Sequence, residues 1–265
     1  MGFRQNTALA ATGEAENDRQ YVKALARGLM VLRAFRPEDR ALGNAELARR
    51  TGFPKPTVSR LTFTLLSMGY LNLDEDTGRY SLHPHVLSLG YPVLQRLSVR
   101  ETARPMMQEL ANSCHGAVAL AVRDGLEMIV IEQARHSTMT TVPLDIGAFR
   151  EIALTALGRA YIAALKERER DILLDQIRAA DEPQWPTVKA AIEANMLHFA
   201  ERGYCYSIGD WRPNYNAVGV PLVLGDGMIV AFNCGGMANR VTEALIPELG
   251  SKLVDVVRKL ARIHG

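Results

Sequence analysis

The sequence predicts an α+β chain of two domains, an amino-terminal winged helix-turn-helix and a carboxy-terminal α/β domain. Three observations predict it. Asn44 to Tyr70 spells out two short helices joined at a glycine, with prolines opening the second. Two short alternating segments follow at once, parted by an acidic turn that ends in Gly78. From about Arg100 onward, apolar strand patterns interleave with longer helical ones, in an order that fits a sheet flanked by helices.

Residues 1–20, rich in Ala, Thr, Asn, Glu and Gln without periodicity, are expected to form a flexible tail. A helix is expected over Tyr21 to Phe35, with Val22, Leu25, Leu29 and Leu32 as a core stripe beneath the helix-turn-helix. The first helix of that motif carries Ala45, Leu47 and Ala48 and breaks at Gly52. The second has Pro54 and Pro56 in its opening turn, the only part of a helix that tolerates proline. Val58, Leu61, Leu65 and Leu66 recur there at helical spacing and are expected to pack inward. Lys55, Thr57, Ser59, Arg60, Thr62 and Thr64 are left facing out. Arg can hold a guanine edge bidentately, while Ser, Thr and Lys reach phosphates or bases. Lys55, Pro56, Thr57, Ser59, Arg60 and Thr62 are therefore candidate contacts to double-stranded DNA. A solvated amphipathic helix would show a similar face, but the glycine-turned pair with prolines at the second start favours DNA.

Tyr70 to Leu73 and Arg79 to Leu82 read as a β-hairpin, which directly after a recognition helix is a wing. Arg79 is placed either to touch a minor groove or phosphate or to pair with Asp74, Glu75 and Asp76 inside the turn. The winged unit is expected over 21–83 and a linker helix over 84–100. Within the linker, Val86 to Leu97 is apolar and interrupted by Gly90 and Pro92. It carries more apolar surface than a lone linker should expose, so it docks on the next domain or pairs with a second copy. Residues 101–265 make the second domain. A helix runs through Ser113, followed by strand Ala117 to Val122, a turn at Arg123-Asp124-Gly125 and strand Met128 to Glu132. An extended piece, Thr140 to Pro143, leads into helices around Thr155 to Leu165, Arg168 to Arg178 and Pro186 to Arg202. Strands resume at Tyr204, Ala217 and Met228, and a last helix spans about Thr242 to Ile263.

The stretches ALARGLMVLRAF, NAELARRTGFPKPTVSRL, LLSMGYL and TGRYSLHPHVLSLGY resemble the amino-terminal half of IclR-type bacterial transcription regulators. The likeness continues more weakly through LDIGAFREIALTALGRAYIAAL from Leu144, ERGYCYSIGDWRPNYNAVGVPL from Glu201 and FNCGG at Phe232, and so covers nearly the whole chain. The resemblance implies a GAF-like effector-binding second domain. It also implies a small organic effector held by the sheet, the segment after Gly147 and the Gly203 to Pro221 region. By position, Ser207 falls where relatives often carry an acidic residue and Cys234 where they often carry serine, while Thr155 and Ala156 line the loop-to-helix segment. Asp210, Asn216 and Asn233 are further polar candidates. Each has a plain structural alternative: Thr155 as a helix cap, Asp210 and Asn216 as turn caps, Cys234 as a small core residue. The chain departs from the family at Glu151, where proline is common, and at Ala153, where histidine is common. Trp211 and Arg212 would give an apolar wall and a carboxylate partner, or a surface feature. A carboxylic acid is the expected effector class.

Charge agrees with this division. Although the net charge is +2, residues 21–73 hold nine Lys/Arg against three Asp/Glu, whereas residues 101–265 hold 17 against 20. Duplex binding through the first segment should weaken steeply with salt. With 265 residues, 48% hydrophobic, the chain is long enough for two real cores. Cys114, Cys205 and Cys234 are far apart in sequence and odd in number, which fits a reducing compartment without a disulfide framework. No apolar run reaches spanning length, and MGFRQN lacks both a signal core and a myristoylation pattern. A cytoplasmic protein outside the membrane is expected.

No phosphate loop, nucleophile elbow, zinc-protease helix or zinc-spaced cysteine pair occurs. The adjacent Cys114 and His115 make a poor nucleophile and base. His83 and His85, parted by Pro84, lack a third ligand nearby. Neither catalysis, nor a metal, nor a cofactor is expected. A homodimer or dimer of dimers is expected to present two recognition helices to a near-palindromic operator, with effector coupling through the connector. Two rivals remain: an architectural DNA binder whose second domain only oligomerises, and a catalytic or ligand-binding domain whose helix-turn-helix contacts protein.

Overall fold

Glycine and proline punctuation sets the local structure of the amino-terminal unit in the computed structural model, which describes residues 19–36, 38–137 and 145–265. The expected tail, up to residue 18, and the expected extended piece Thr140 to Pro143 lie outside the described residues. Two compact units divide between Leu97 and Ser98.

In the first unit, α1 (Lys23–Arg33), α2 (Asn44–Thr51) and α3 (Lys55–Ser67) precede a hairpin of β1 (Leu71–Asp74) and β2 (Arg79–Leu82). Gly52 ends α2 in the left-handed region, φ 74°, and its N–H donates to the Ala48 carbonyl at 2.9 Å. The chain can therefore turn sharply into α3, whose first turn holds Pro56. Val31, Ala34, Leu42, Leu47, Val58, Leu65 and Leu71 form the core. The stripe expected on α1 needs correction: Val22, Leu25 and Leu29 are exposed, and only the carboxy-terminal end of α1 reaches the core, through Val31 and Ala34 with Leu32 beside them. Leu42 bridges to Tyr80, each N–H donating to the other's carbonyl at 2.8 Å, which adds a third strand segment to the wing.

Arg50 locks this unit. Its guanidinium donates to both Asp39 oxygens, to Glu46 and to the Ala34 carbonyl. These hydrogen bonds hold the Asp39 carboxyl below its usual range. Arg50→Met should destabilise the unit by about 2 kcal/mol, because the nearly buried Asp39 carboxylate loses its charged donors. A carboxyl whose folded pKa is depressed contributes stability above its unfolded value near pH 4 and loses it as pH falls through the lower folded value. Thermal melts from pH 6 down to pH 2 should show an acid-side loss in wild type that is shallower in the Arg50→Met variant. Parallel pH profiles would refute this role.

Beyond the wing, α4 (Leu87–Arg96) runs without a break through Gly90 and Pro92, against the expected interruption. Proline removes one backbone hydrogen bond of an exposed helix without ending it here. Leu87, Leu89, Tyr91 and Val93 on α4 are exposed in the single chain.

The second unit opens with α5 (Val99–Cys114), then β3 (Ala117–Asp124) and β4 (Glu127–Arg135). The short strand β5 (Phe149–Glu151), not expected from sequence, precedes α6 (Ala156–Ala164), α7 (Glu167–Ala180) and α8 (Trp185–Arg202). β6 (Cys205–Ile208), β7 (Tyr215–Val223), β8 (Ile229–Met237) and α9 (Ile246–His264) complete it. The six strands form one antiparallel sheet in the order β5-β4-β3-β8-β7-β6. Pairing register assigns the faces, since directly opposite residues point the same way. Ala119, Asn233 and Gly219 are in register and face α6, while Val118, Cys234 and Val218 face α5. On the α6 side the core comprises Ile152, Leu157, Leu173, Ile177, Val188 and Ile192, among others, which brings α6, α7 and α8 over that face. On the other side Arg104 of α5 donates to the buried Glu132 of β4 at 2.7 Å. Among the described residues no helix is long and apolar enough to cross a membrane.

Candidate functional site

The outward stripe of α3 comprises Lys55, Pro56, Ser59, Arg60, Phe63, Thr64 and Ser67, which recur at the three-to-four-residue spacing of one helix face. Thr57 is half-buried. Thr62 corrects the expectation: it is fully buried, and its hydroxyl donates to the Ser59 carbonyl at 3.1 Å. It lies four residues after Val58 and three before Leu65, on the stripe that fills the core, so it cannot reach a groove. Ser59 already accepts from Asn44 Nδ2 at 2.7 Å, a bond that fixes the start of α2 against α3. Phe63, 71% exposed one turn from Arg60, and Ser67 are the members of this face that the sequence pattern does not single out.

On the wing, Arg79 is exposed opposite Asp74. Asp74 is engaged with its own turn, accepting from the N–H of Asp76 at 3.0 Å and of Thr77 at 3.1 Å. Hydrogen bonds from Thr77, its backbone N–H first and then its hydroxyl, with a smaller one from Asp76 N–H, depress its carboxyl pKa.

The effector candidates separate by strand alternation. Thr155 caps α6, accepting from Gly158 N–H at 3.2 Å and donating to the Glu151 carbonyl at 2.8 Å. Ala156 is buried against β7, so tightly that a Cβ at Gly219 would collide with its carbonyl oxygen. Ser207 is buried and donates to the Leu154 carbonyl at 2.8 Å. Asp210 pairs with the buried Arg159 at 2.7 Å, and Arg159 also donates to the carbonyls of Tyr206 and Ala153. Arg159 thus fastens the β6 segment to α6, a role with no local sequence signal. Asn233 faces α6, its Oδ1 accepting from Ala119 N–H at 3.1 Å. Asn216 and Cys234 require correction. Both point to the α5 and α9 side, where Asn216 Nδ2 donates to the Val241 carbonyl at 2.8 Å and Cys234 Sγ lies 3.4 Å from Cys114 Sγ. A one-residue step along a strand reverses the face, so these two cannot share a site with Asn233.

The α6 face has a floor of small residues, Ala117, Ala119, Ala217 and Gly235, bordered by Ala156, Tyr215, Trp211 and Met237. Three polar groups not singled out by sequence accompany it. Arg150 is buried, its guanidinium 4.9 Å from the centre of the Trp211 ring, and burial lowers its pKa. Tyr215 meets Trp211 edge-on at 5.4 Å; its phenol, raised in pKa by burial, has no hydrogen-bond partner among the described residues. Gln133 faces the same side, opposite Ala119, and its Nε2 is likewise buried without a partner. The exposed Arg212 stacks on Trp211 at 4.3 Å. Arg150, not Arg212, is thus the enclosed cation, and β5 that carries it could not be foreseen from a three-residue strand.

Comparison with known proteins agrees with this architecture. Residues 24–75 match the IclR helix-turn-helix domain, and residues 91–262 match the bacterial transcriptional regulator IclR C-terminal domain. The HTH-type transcriptional regulator TsaQ1/TsaQ2 of Comamonas testosteroni is 30% identical over 243 residues, covering 90% of this chain and 87% of that protein. The crystal structure of an IclR family transcriptional regulator from Brucella abortus is 40% identical, with a TM-score of 0.84 over 96% of this chain and 97% of the other. An IclR homologue from Microbacterium hydrocarbonoxydans complexed with 4-hydroxybenzoate shares the fold at 19% identity, with a TM-score of 0.71 over 91% and 99% of the two chains. Its relatives are transcriptional regulators rather than enzymes. With a helix-turn-helix at one end and an effector-binding domain filling the rest, the chain belongs to the IclR family of bacterial transcriptional regulators.

Proposed function

We propose that this regulator acts in the cytoplasm as a homodimer or dimer of dimers on a near-palindromic operator, and that a small carboxylic acid changes its operator affinity. Lys55, Pro56, Thr57, Ser59, Arg60 and Phe63 meet the major groove, and Arg79 meets backbone or minor groove from the wing. Arg60 supplies guanine recognition, while Phe63 suits a thymine methyl. On the α6 face, Arg150 and Tyr215 hold the carboxylate, Trp211 and Ala156 bound its apolar body, and Gln133 and Asn233 complete the polar rim. Thr155, Ser207 and Asp210 position the walls. The observation that carries this reading is the Tyr215 phenol, buried beside a desolvated guanidinium and with no acceptor for its proton among the described residues. Such a donor is costly to leave unmade and is satisfied by an entering carboxylate.

An effector can shift operator occupancy only by binding two arrangements of the reading heads unequally. A coupling of about 1–3 kcal/mol would change operator affinity roughly 5- to 150-fold. The connector over residues 84–100 carries that coupling.

The test combines duplex binding with ligand binding. Fluorescence anisotropy on duplexes from the protein's own upstream intergenic region, at several salt concentrations, is repeated with a panel of aliphatic and aromatic carboxylates that includes 4-hydroxybenzoate. Salt-sensitive, sequence-selective binding shifted by one acid is expected. Selective binding that no acid shifts would reject the carboxylate, and equal weak binding to every duplex would reject the operator. Tyr215→Phe should leave the melting temperature unchanged or slightly raised, since it deletes an unsatisfied buried hydroxyl, yet weaken the acid about tenfold or more. Undiminished affinity by calorimetry would remove Tyr215 from the site.

A further inference from the structure

We propose that Cys114 and Cys234 form a reversible dithiol switch in the effector-binding domain, closed to a disulfide by a hydroperoxide. Their sulfurs lie 3.4 Å apart, although 120 positions separate them in sequence. The two residues have unequal settings. Cys114 is the last residue of α5 and only partly buried, whereas Cys234 sits in central strand β8 and is buried.

The backbone holds the pair together. After Cys114 the chain reverses at His115, the one non-glycine residue with positive φ (49°) among the described residues. It then presses Gly116 against β8, where a Cβ would lie 2.6 Å from the Gly235 carbonyl oxygen and 3.0 Å from Cys114 Sγ. His136 packs against His115 in a tilted arrangement, with ring centroids 4.5 Å apart. Closing the bond requires the sulfurs to approach by about 1.4 Å, to the S–S length near 2.05 Å. The movement falls at a helix terminus, where rotation of one side chain meets least resistance.

The electrostatics divide the roles. The hydrogen bond from Cys234 stabilises the thiolate of Cys114, with smaller help from the N–H of Gly116 and the Lys252 ammonium. The same bond raises the pKa of Cys234. Cys114, at the helix end and the more accessible of the two, is thus the attacking sulfur and the buried Cys234 the resolving one. The Cys114 thiolate attacks one peroxide oxygen; an S–O bond forms, the O–O bond breaks, and hydroxide leaves and takes up a proton. Cys234 then attacks the sulfenic sulfur of Cys114; the S–S bond forms, the S–O bond breaks, and water departs with the Cys234 proton. Two thiols are oxidised and one hydrogen peroxide is reduced to two waters. A cellular dithiol reduces the disulfide by thiol–disulfide exchange, restoring both thiols and itself becoming a disulfide, the pattern of transient redox-sensing disulfides in reducing compartments. Asn233 and Gly235 flank Cys234 and present the opposite face of β8 to the floor beside Ala119 and Ala217, so closure would restrain the strand beneath that face.

Cys205 is the internal control. Buried on the α6 side, its thiol is pushed up to about 12 and should stay inert. Full-length reduced protein is treated with stoichiometric hydrogen peroxide, quenched, and examined by thiol titration under denaturing conditions and by non-reducing peptide mapping. Two of three thiols should disappear in favour of an intramolecular Cys114–Cys234 peptide, and a dithiol reductant should restore both. The Cys234→Ser variant should stop at a sulfenic acid on Cys114 that dimedone traps, and Cys205→Ala should leave disulfide formation unchanged. Three titratable thiols after the peroxide treatment, a bond between chains, or a bond involving Cys205 would each overturn the proposal. The wild-type result decides it even where a variant folds poorly.

Discussion

Arg60→Ala is expected to lower affinity for the operator roughly 5- to 150-fold, about 1–3 kcal/mol, and to relax discrimination at one base pair in each half-site. Arg60 is exposed on α3, and no core residue depends on it. Its loss should therefore leave the melting temperature unchanged. The control is Thr62→Val: since Thr62 is buried and bonded to Ser59 within the helix, it should leave duplex affinity within about twofold despite lying two residues from Arg60. Phe63→Ala should fall between the two and act only on operators with a thymine at the contacted position. Anisotropy titrations on matched and single-substituted duplexes read all three. Equal affinities for Arg60→Ala and wild type on every duplex would show that α3 does not read the operator through this side chain.

Gly219→Val should be among the most damaging single changes in the effector-binding domain. The carbonyl of Ala156 occupies the space a Cβ would need, and it is backbone at the first turn of a helix, so it has little freedom to withdraw. Either α6 lifts from β7 or the β7–β8 pairing at Gly219 and Asn233 yields. Overpacking of this kind costs about 3 kcal/mol or more. For a unit of this size that corresponds to a fall of about 6–12 °C in its melting temperature. Because the two units have separate cores, calorimetry should show the loss in one transition only. Salt-dependent binding to nonspecific duplex should persist, while stabilisation by the carboxylate disappears. A single unshifted transition would mean that α6 and β7 adapt to the side chain at little cost.

The parts of this fold legible in the sequence were those set by local signals. Gly52 and Pro56 mark the helix-turn-helix because a left-handed C-cap and a first-turn proline have few alternatives, and Gly78 marks the wing for a similar reason. Burial was less legible. The polarity of Thr62 points outward, yet a threonine can satisfy its hydroxyl on the preceding turn and fill a core position. Val22, Leu25 and Leu29 are apolar and periodic, which states that a face exists and not what covers it. The candidate site suffered from two limits. Asn233 and Cys234 are sequence neighbours, and only the pairing register tells which of them faces α6. Arg150, Arg159 and Gln133 are isolated polar residues whose neighbours come from segments distant in sequence, so no window of sequence could assemble them. The proximity of Cys114 and Cys234 depends on the same long-range register.

The Leu42–Tyr80 bridge bears on how fast and how uniformly the reading head can engage. A two-stranded hairpin in water is marginally ordered and would have to be immobilised each time it reached a duplex. Here the segment before α2 is hydrogen-bonded to the wing on one side and continues into the helix-turn-helix on the other, so the chain closes into a ring around its own core. Recognition helix and wing thus arrive as one preformed shape, and little conformational entropy remains to be lost at the moment of contact.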